Sequence, residues 1–420
     1  MGVWEEIQQR RTGAFDTVYL DAEGRELAVM TGEFTGGDVE ILRGDLTAIL
    51  YERTRARCEY RFGDSITTLT ETADGVRAEF ERGAPQTFDL VIGADGIHSR
   101  VRRLTFGPER DYAHHLGYYY CVAGAPGFGH DARRPERLTA CAWNAPGRMA
   151  ARGGSKGSHL YLLASPELHG ARGDVAAQRR LITEQFAGMG GEVPAMLAEL
   201  DQLDDFYLDA IAQVRIQGRY TAGRVALVGD SGYGNTLGGF GTGLAVVGAY
   251  VLAGELAVAD GGHEAAYARY DEIMRRYAKI AGNSNAGRFM APKTARGIRG
   301  RNWLLGSRAF GLMMKYGDKA ANDIDLADYR ALAGARPAEG LASRVRPGAR
   351  SGLAWAGTQG PFDMTILMLV TVIRVAADRC GQRRARRRRG TTTRQRRRGR
   401  GRGRRAGASG RSATLPGSSA

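Results

Sequence analysis

The segment from Gly223 to Leu256, GRVALVGDSGYGNTLGGFGTGLAVVGAYVLAGEL, limits what this chain can fold into more than any other. A short apolar run, Val225 to Val228, ends in Gly229-Asp230. Glycines follow at 232, 234, 238, 239, 241 and 243, and then an Ala/Val/Leu stretch without proline, long enough for a helix. That order reads as a buried strand, a loop and a helix N-terminus. Loop glycines let backbone N–H groups approach an anion, and the helix dipole adds about half a positive charge at its start. The carboxylate of Asp230, at the strand end, is placed to accept hydrogen bonds from a sugar-like hydroxyl. The unit suits a phosphate-bearing cofactor.

Two further blocks point the same way. Phe88 to Arg102, FDLVIGADGIHSRVR, reads as a strand to Gly93, a turn through Ala94-Asp95-Gly96 and a basic helix. Glu40 to Thr54, EILRGDLTAILYERT, sets Leu46, Ile49 and Leu50 at helical spacing after Arg43-Gly44-Asp45. Around them lie a helix end (Val3 to Arg10), a hairpin about Asp21-Ala-Glu-Gly24, and strands over Ser65–Glu71 and Gly75–Glu81. From 106 to 211, short alternating runs such as HLGYYYCVAG, LTACAW and SHLYLLA predict an antiparallel sheet, followed by helices over Val175–Met189 and Val193–Leu200. His263 to Phe289 reads as one long amphipathic helix with Tyr267, Tyr270, Met274 and Tyr277 along one side.

The three blocks, in this order and spacing, resemble the FAD-dependent aromatic monooxygenases of the para-hydroxybenzoate hydroxylase fold, in particular the tetracycline-inactivating and polyketide-hydroxylating branch. The resemblance covers residues 1 to 330. It implies an α/β fold: a Rossmann-like FAD-binding domain, truncated at its N-terminus, with an inserted antiparallel-sheet substrate domain. Residues 1–105 and 212–290 would form the FAD-binding domain, 106–211 the substrate domain and 291–330 C-terminal helices. The implied activity is hydroxylation of an aromatic or polyketide-like small molecule with NAD(P)H and O2. The flavin carries the redox chemistry, and the protein orients the substrate and excludes water. No triad or paired carboxylates stand out, so no catalytic residue is named.

The resemblance also implies roles. Asp230 would bind the ribityl chain of FAD. Arg43 would contact FAD from the start of its helix, and Asp95 would lie by the pyrophosphate and the nicotinamide path. Gly241, Gly243 and Leu244 would run beneath the flavin ring. Arg102 is placed to neutralise a phosphate. The residues themselves leave plainer readings open: a helix-capping Asp230, a solvated Arg43 or Arg102, and simple turn chemistry for Asp95. The glycine loop departs from the family in lacking a proline, with Leu237 near its place, and in being one residue shorter. Tyr233 stands where relatives often carry histidine.

The family's opening strand and G-x-G-x-x-G turn, which bind the FAD pyrophosphate, have no counterpart after a strand near this N-terminus. The expectation is that the first βαβ unit is absent, through an internal start or a truncation. FAD binding would then be weak, because each charge-assisted hydrogen bond is worth roughly 1.5–3 kcal/mol. The alternative to an active enzyme is a catalytically impaired remnant. A flavin halogenase would carry W-x-W-x-I-P, which the chain lacks.

The net charge of +15 looks at first like a nucleic-acid signal. Fifteen arginines, with no lysine and no acid, lie between Gly381 and Ala420, so the rest of the chain balances at 45 bases against 45 acids. A balanced body gives no reason to expect a basic groove, and the low-complexity tail reads as solvated or as an out-of-frame product. Nucleic acid is therefore not expected as a partner, beyond non-specific attraction to that tail, whose arginines could equally meet RNA, DNA or an anionic membrane. Cys58, Cys121, Cys141 and Cys380 are widely spaced, which suits free thiols and a cytoplasmic protein. Seven histidines show no metal-ligand spacing, so no metal is expected. No signal peptide is visible and the run Thr365–Ile373 is too short to span a bilayer, so no membrane partner is expected either, a surface anchor being the less favoured alternative.

Overall fold

A computed structural model describes residues 2–12, 15–32, 40–131, 134–168, 173–238, 241–281, 285–308, 310–311 and 324–334. The Arg-rich tail, Cys380 and the 365–373 run lie outside the described residues.

The larger sheet is built from strand β1 (Phe15–Leu20), β2 (Glu26–Met30), β7 (Ala113–Ala123), β8 (Gly129–Asp131), β9 (Arg134–Ala145), β10 (Arg148–Arg152), β11 (His159–Ala164) and β12 (Phe206–Val214), in the order β12-β7-β11-β10-β9-β1-β2 with β8 on β9. It is antiparallel, as the alternating runs predict, except where β1 runs parallel to β9 with Tyr19 beside Ala142. The hairpin at Asp21–Gly24 forms as expected. Its sheet membership does not follow the boundary drawn at residue 105, because β1 and β2 extend the large sheet formed from residues 113–214. Alternation reveals a hairpin, but only pairing decides which sheet takes it.

The large sheet buries both faces. On one face, Trp143, Ala150, Tyr161 and Cys121 meet Ile182 and Phe186 of a helix (Val175–Phe186) and Val193 and Met196 of another (Val193–Glu199). On the other, Tyr19, Tyr118, Met149, Leu162 and Ile211 meet Met290, Leu304, Leu305 and Leu237. Such apolar contact areas stabilise at roughly 25 cal/mol per Å² removed from water.

The cofactor-type half is smaller. β6 (Val91–Gly93) lies parallel to β14 (Val225–Leu227), which is flanked by β13 (Thr221–Ala222). A third sheet holds β3 (Ile66–Thr72), β4 (Gly75–Phe80) and β5 (Gln86–Phe88). The single strand expected over Phe88–Gly93 is therefore two. Phe88 ends β5 on Val76, whereas Val91 begins β6 on Val225. One apolar run feeds two sheets because the chain turns at Asp89-Leu90.

The helix after the glycine loop spans Gly241–Val258 and packs on the helix His263–Ala281. Tyr267, Tyr270, Met274 and Tyr277 all face inward, as their spacing predicts, and the Tyr270 hydroxyl donates to the Leu227 carbonyl at 2.8 Å. The predicted single helix to Phe289 is interrupted, because a separate short helix covers Ala286–Met290 with Asn285 as its cap. Gly241–Val258 is apolar enough to cross a membrane by composition, but 56% of it is buried in the protein, as befits a core helix.

Candidate functional site

The two glycine-aspartate blocks sit side by side because β6 and β14 are parallel neighbours, so their C-terminal ends point the same way. Gly93 permits the close approach: a Cβ there would lie 2.8 Å from both Leu227 and Val101. Gly229 adopts φ +67°, which turns the chain out of β14 into the short helix Asp230–Tyr233. Arg102, fully buried, donates to the carbonyls of Ser231 at 2.8 Å and Ile97 at 2.6 Å. Ser231 in turn donates to the Gly93 carbonyl at 2.6 Å. Arg102 is thus neither a phosphate ligand in waiting nor a solvated charge. It clamps one block to the other.

Asp95 is also buried, and its carboxylate is committed locally. Oδ1 accepts from the Ser99 hydroxyl at 2.5 Å, and Oδ2 accepts from the Arg100 and Val101 amides at 2.7 and 2.9 Å. Burial pushes this carboxyl above its ordinary range, and the three hydrogen bonds oppose that rise. Asp95 shapes the turn that leads into the helix Arg100–Thr105.

Asp230 lies differently. It is half-buried, and its Oδ1 is 3.5 Å from where a Cβ on Gly241 would stand, at the first residue of the 18-residue helix. Gly243 is exposed, and a Cβ there would meet nothing within 4 Å. Leu244 is buried, part of the helix's packing against Tyr233 and Tyr270. The loop is held from the other side by the sheet. Asn235 bridges Gln213, the Val214 amide donates to Gly234 at 2.8 Å, and the Thr236 amide donates to Ala212 at 3.0 Å. Leu237 has φ +58°, a conformation that proline cannot adopt, and its side chain joins the sheet's apolar face. Tyr233 is buried against Gly248, with its hydroxyl 3.4 Å from that of Tyr270.

Arg43 is exposed at the start of the helix Arg43–Thr54. Its charge and that of Asp230 both reach Tyr120, on β7. Burial raises the Tyr120 hydroxyl well above the usual phenol range. The charges of Asp209, Arg43 and Asp230 all bear on it as well. Tyr120 shares a hydrogen bond with Tyr207, which donates to Asp209 at 2.7 Å. Asp209 meets His98 Nε2 at 2.9 Å, and His98 Nδ1 meets Glu109 at 2.7 Å. Burial would raise the Asp209 carboxyl, but His98, Tyr207 and the Ala210 amide bring it below its usual range. The row joins the Asp95 turn to the substrate sheet. Its sequence signal is modest: Tyr207 and Asp209 are two apart and so share a face of β12, and Asp209 pairs opposite Tyr120.

Among the described residues no cluster of His, Cys, Asp or Glu could hold a metal ion. Among the described residues, Cys58, Cys121 and Cys141 form no disulfide.

Residues 41–281 match the family described as FAD binding domain. A flavin-dependent monooxygenase of Legionella longbeachae is 35% identical over 66% of this chain and 72% of its own length. The crystal structure of tetracycline destructase Tet(55) is similar at 32% identity with a TM-score of 0.62, covering 78% of this chain and 84% of that one. Tetracycline destructase Tet(51) follows at 27% identity and a TM-score of 0.64, over 78% and 85%.

Proposed function

The chain belongs to the FAD binding domain family of flavin-dependent monooxygenases, and on that premise we propose that it hydroxylates a flat aromatic or polyketide-like molecule, with FAD held at Asp230 and the helix that begins at Gly241. The observation that carries this reading is the Asp230 carboxylate beside the Gly241 helix N-terminus, with open space over Gly243. The donor set fits a dinucleotide. A carboxylate accepts from sugar-chain hydroxyls, while amides at a helix start and the positive dipole end favour the electron-rich edge of a ring or a phosphate. Arg43 supplies a cation on the same side. When bound, the flavin supplies the oxidation-reduction chemistry with NAD(P)H and O2.

The chain's own residues do the rest. Arg102 and Ser231 keep the two blocks in register, so that Asp230 and the Asp95 turn hold fixed positions. On the sheet face that packs Met149 and Leu162 into the core, the partly buried Leu160 and Tyr120 are the side chains this reading assigns to a flat substrate. Tyr120, hydrogen-bonded through Tyr207 to Asp209, is the polar group on that face best placed to orient a substrate hydroxyl. A cytoplasmic location, consistent with free thiols, belongs to the same reading.

The test is reconstitution of the purified full chain with FAD. A saturable change in flavin fluorescence on titration with FAD, and NAD(P)H oxidation that rises when a tetracycline-like polycyclic phenol is added, are the expected results. A chain that binds flavin but shows no substrate-dependent oxidation with any polycyclic phenol defeats the substrate assignment. A chain that binds none at any FAD concentration defeats the site.

A further inference from the structure

Charge that balances over the whole body is unevenly placed within it. Between Glu272 and Asp318 the sequence has no acidic residue and ten lysines and arginines. Elsewhere arginines pair with acids: Arg25 with Asp21, Arg61 with Glu59, Arg137 with Asp16, Arg152 with Glu199. Among the described residues, none of Arg288, Lys293, Arg296, Arg299, Arg301 or Arg308 is in an ion pair with a carboxylate.

The helix Ala295–Leu305 lies at the centre of this segment. One side is fixed to the protein. Arg301 is buried, stacks 3.7 Å over the Tyr19 ring and donates to Asn144 Oδ1 at 2.6 Å, while Leu305 enters the sheet's apolar cluster. The opposite side carries Arg296, Arg299, Gly300 and Trp303, which fall on one face at 3.6 residues per turn. Trp303 is 73% exposed, the most exposed large hydrophobic residue among those described. A tryptophan bracketed by arginines and held outward on a helix has the composition of an interfacial helix face.

We propose that this helix face docks the protein on a membrane surface rich in anionic lipid, with Trp303 at headgroup level and Arg296, Arg299 and their basic neighbours on lipid phosphates. Tryptophan favours the membrane–water interface, and each basic residue near an anionic leaflet adds roughly 1 kcal/mol of attraction. A second copy of the chain is a poor occupant, because a two-fold contact would set these bases against themselves. Nucleic acid fits less well: among the described residues Trp303 is the one exposed aromatic of this helix, whereas single-strand binding uses a groove with successive stacking aromatics. The expectation of no membrane partner rested on the absence of a spanning segment. A surface helix binds without spanning. This inference is independent of the cofactor.

The test uses the full chain and vesicles of phosphatidylcholine with one-third phosphatidylglycerol, carrying brominated acyl chains that quench tryptophan on contact. The emission of Trp303 is the difference between wild type and Trp303→Phe. It should be quenched by the anionic vesicles and not by brominated phosphatidylcholine alone. Arg296→Glu/Arg299→Glu, with the Arg-rich tail unchanged, should lower vesicle partitioning by about tenfold or more. Arg296→Gln/Arg299→Gln should lower it less, and it serves should the reversed pair fail to fold. Vesicle sedimentation with Trp303 emission unchanged would assign binding to the tail and overturn the proposal. So would a Trp303 response to a DNA oligonucleotide but not to vesicles, or one that follows protein concentration without either.

Discussion

Asp95 and Asp230 end neighbouring parallel strands, and each precedes a helix, yet the two carboxylates do different work. Asp95 is sealed in and accepts three hydrogen bonds from its own turn. Asp230 stays half-buried near the start of the longer helix, where Gly243 has open space around it. A buried acceptor that is fully engaged stabilises the fold. The half-buried Asp230 is the acid that the proposed cofactor site uses. The same letters, Gly-x-Asp or Gly-Asp, serve both ends, and burial separates them.

Replacing Asp95 should therefore show up as stability. Asp95→Ala leaves the Ser99 hydroxyl and the Arg100 and Val101 amides without their acceptor, for an expected loss of about 3 kcal/mol in denaturant unfolding. Arg102→Met strands the Ser231 and Ile97 carbonyls and unclamps the blocks, at about 2 kcal/mol. It should weaken flavin retention as well, because Ser231 adjoins Asp230.

Asp230→Ala should do the reverse. Its unfolding midpoint should stay within about 0.5 kcal/mol of wild type, while FAD affinity, read by fluorescence titration, falls about tenfold or more. Loss of stability from Asp230→Ala equal to that from Asp95→Ala would erase the distinction between the two acids.

The smallest effect concerns Asp209, the link between the Asp95 turn and the substrate sheet. Its folded pKa is depressed, so its contribution is present above the unfolded value near about 4 and is lost as pH falls through the lower folded value. Asp209→Asn should flatten the acid limb of stability between about pH 5 and pH 3, leaving neutral stability within about 1 kcal/mol.

Much of this was legible from residue order. A strand, glycines and an apolar proline-free run at 223–256 announce the loop and its helix, since backbone freedom and helix propensity are local properties. Alternation announces the antiparallel sheet for the same reason. The row from Glu109 through His98 and Asp209 to Tyr120 was not legible, because its members come from three distant segments that meet only when β12 pairs with β7. Arg102 was misplaced because letters give its charge but not its burial. Balance over the whole chain likewise hid the bare basic helix at 295–305: a sum carries no positions.

The sequence by itself determined the cofactor-type loop, the Asp230 carboxylate at its start and the substrate sheet's strands, because each follows from spacing along a few adjacent residues. Only the tertiary structure decided which aspartate is sealed within its own turn, which arginine is a clamp, that β1 and β2 belong to the larger sheet, and that Trp303 looks outward. Burial, pairing and orientation arise from contacts between segments far apart in the chain, and no local pattern carries them.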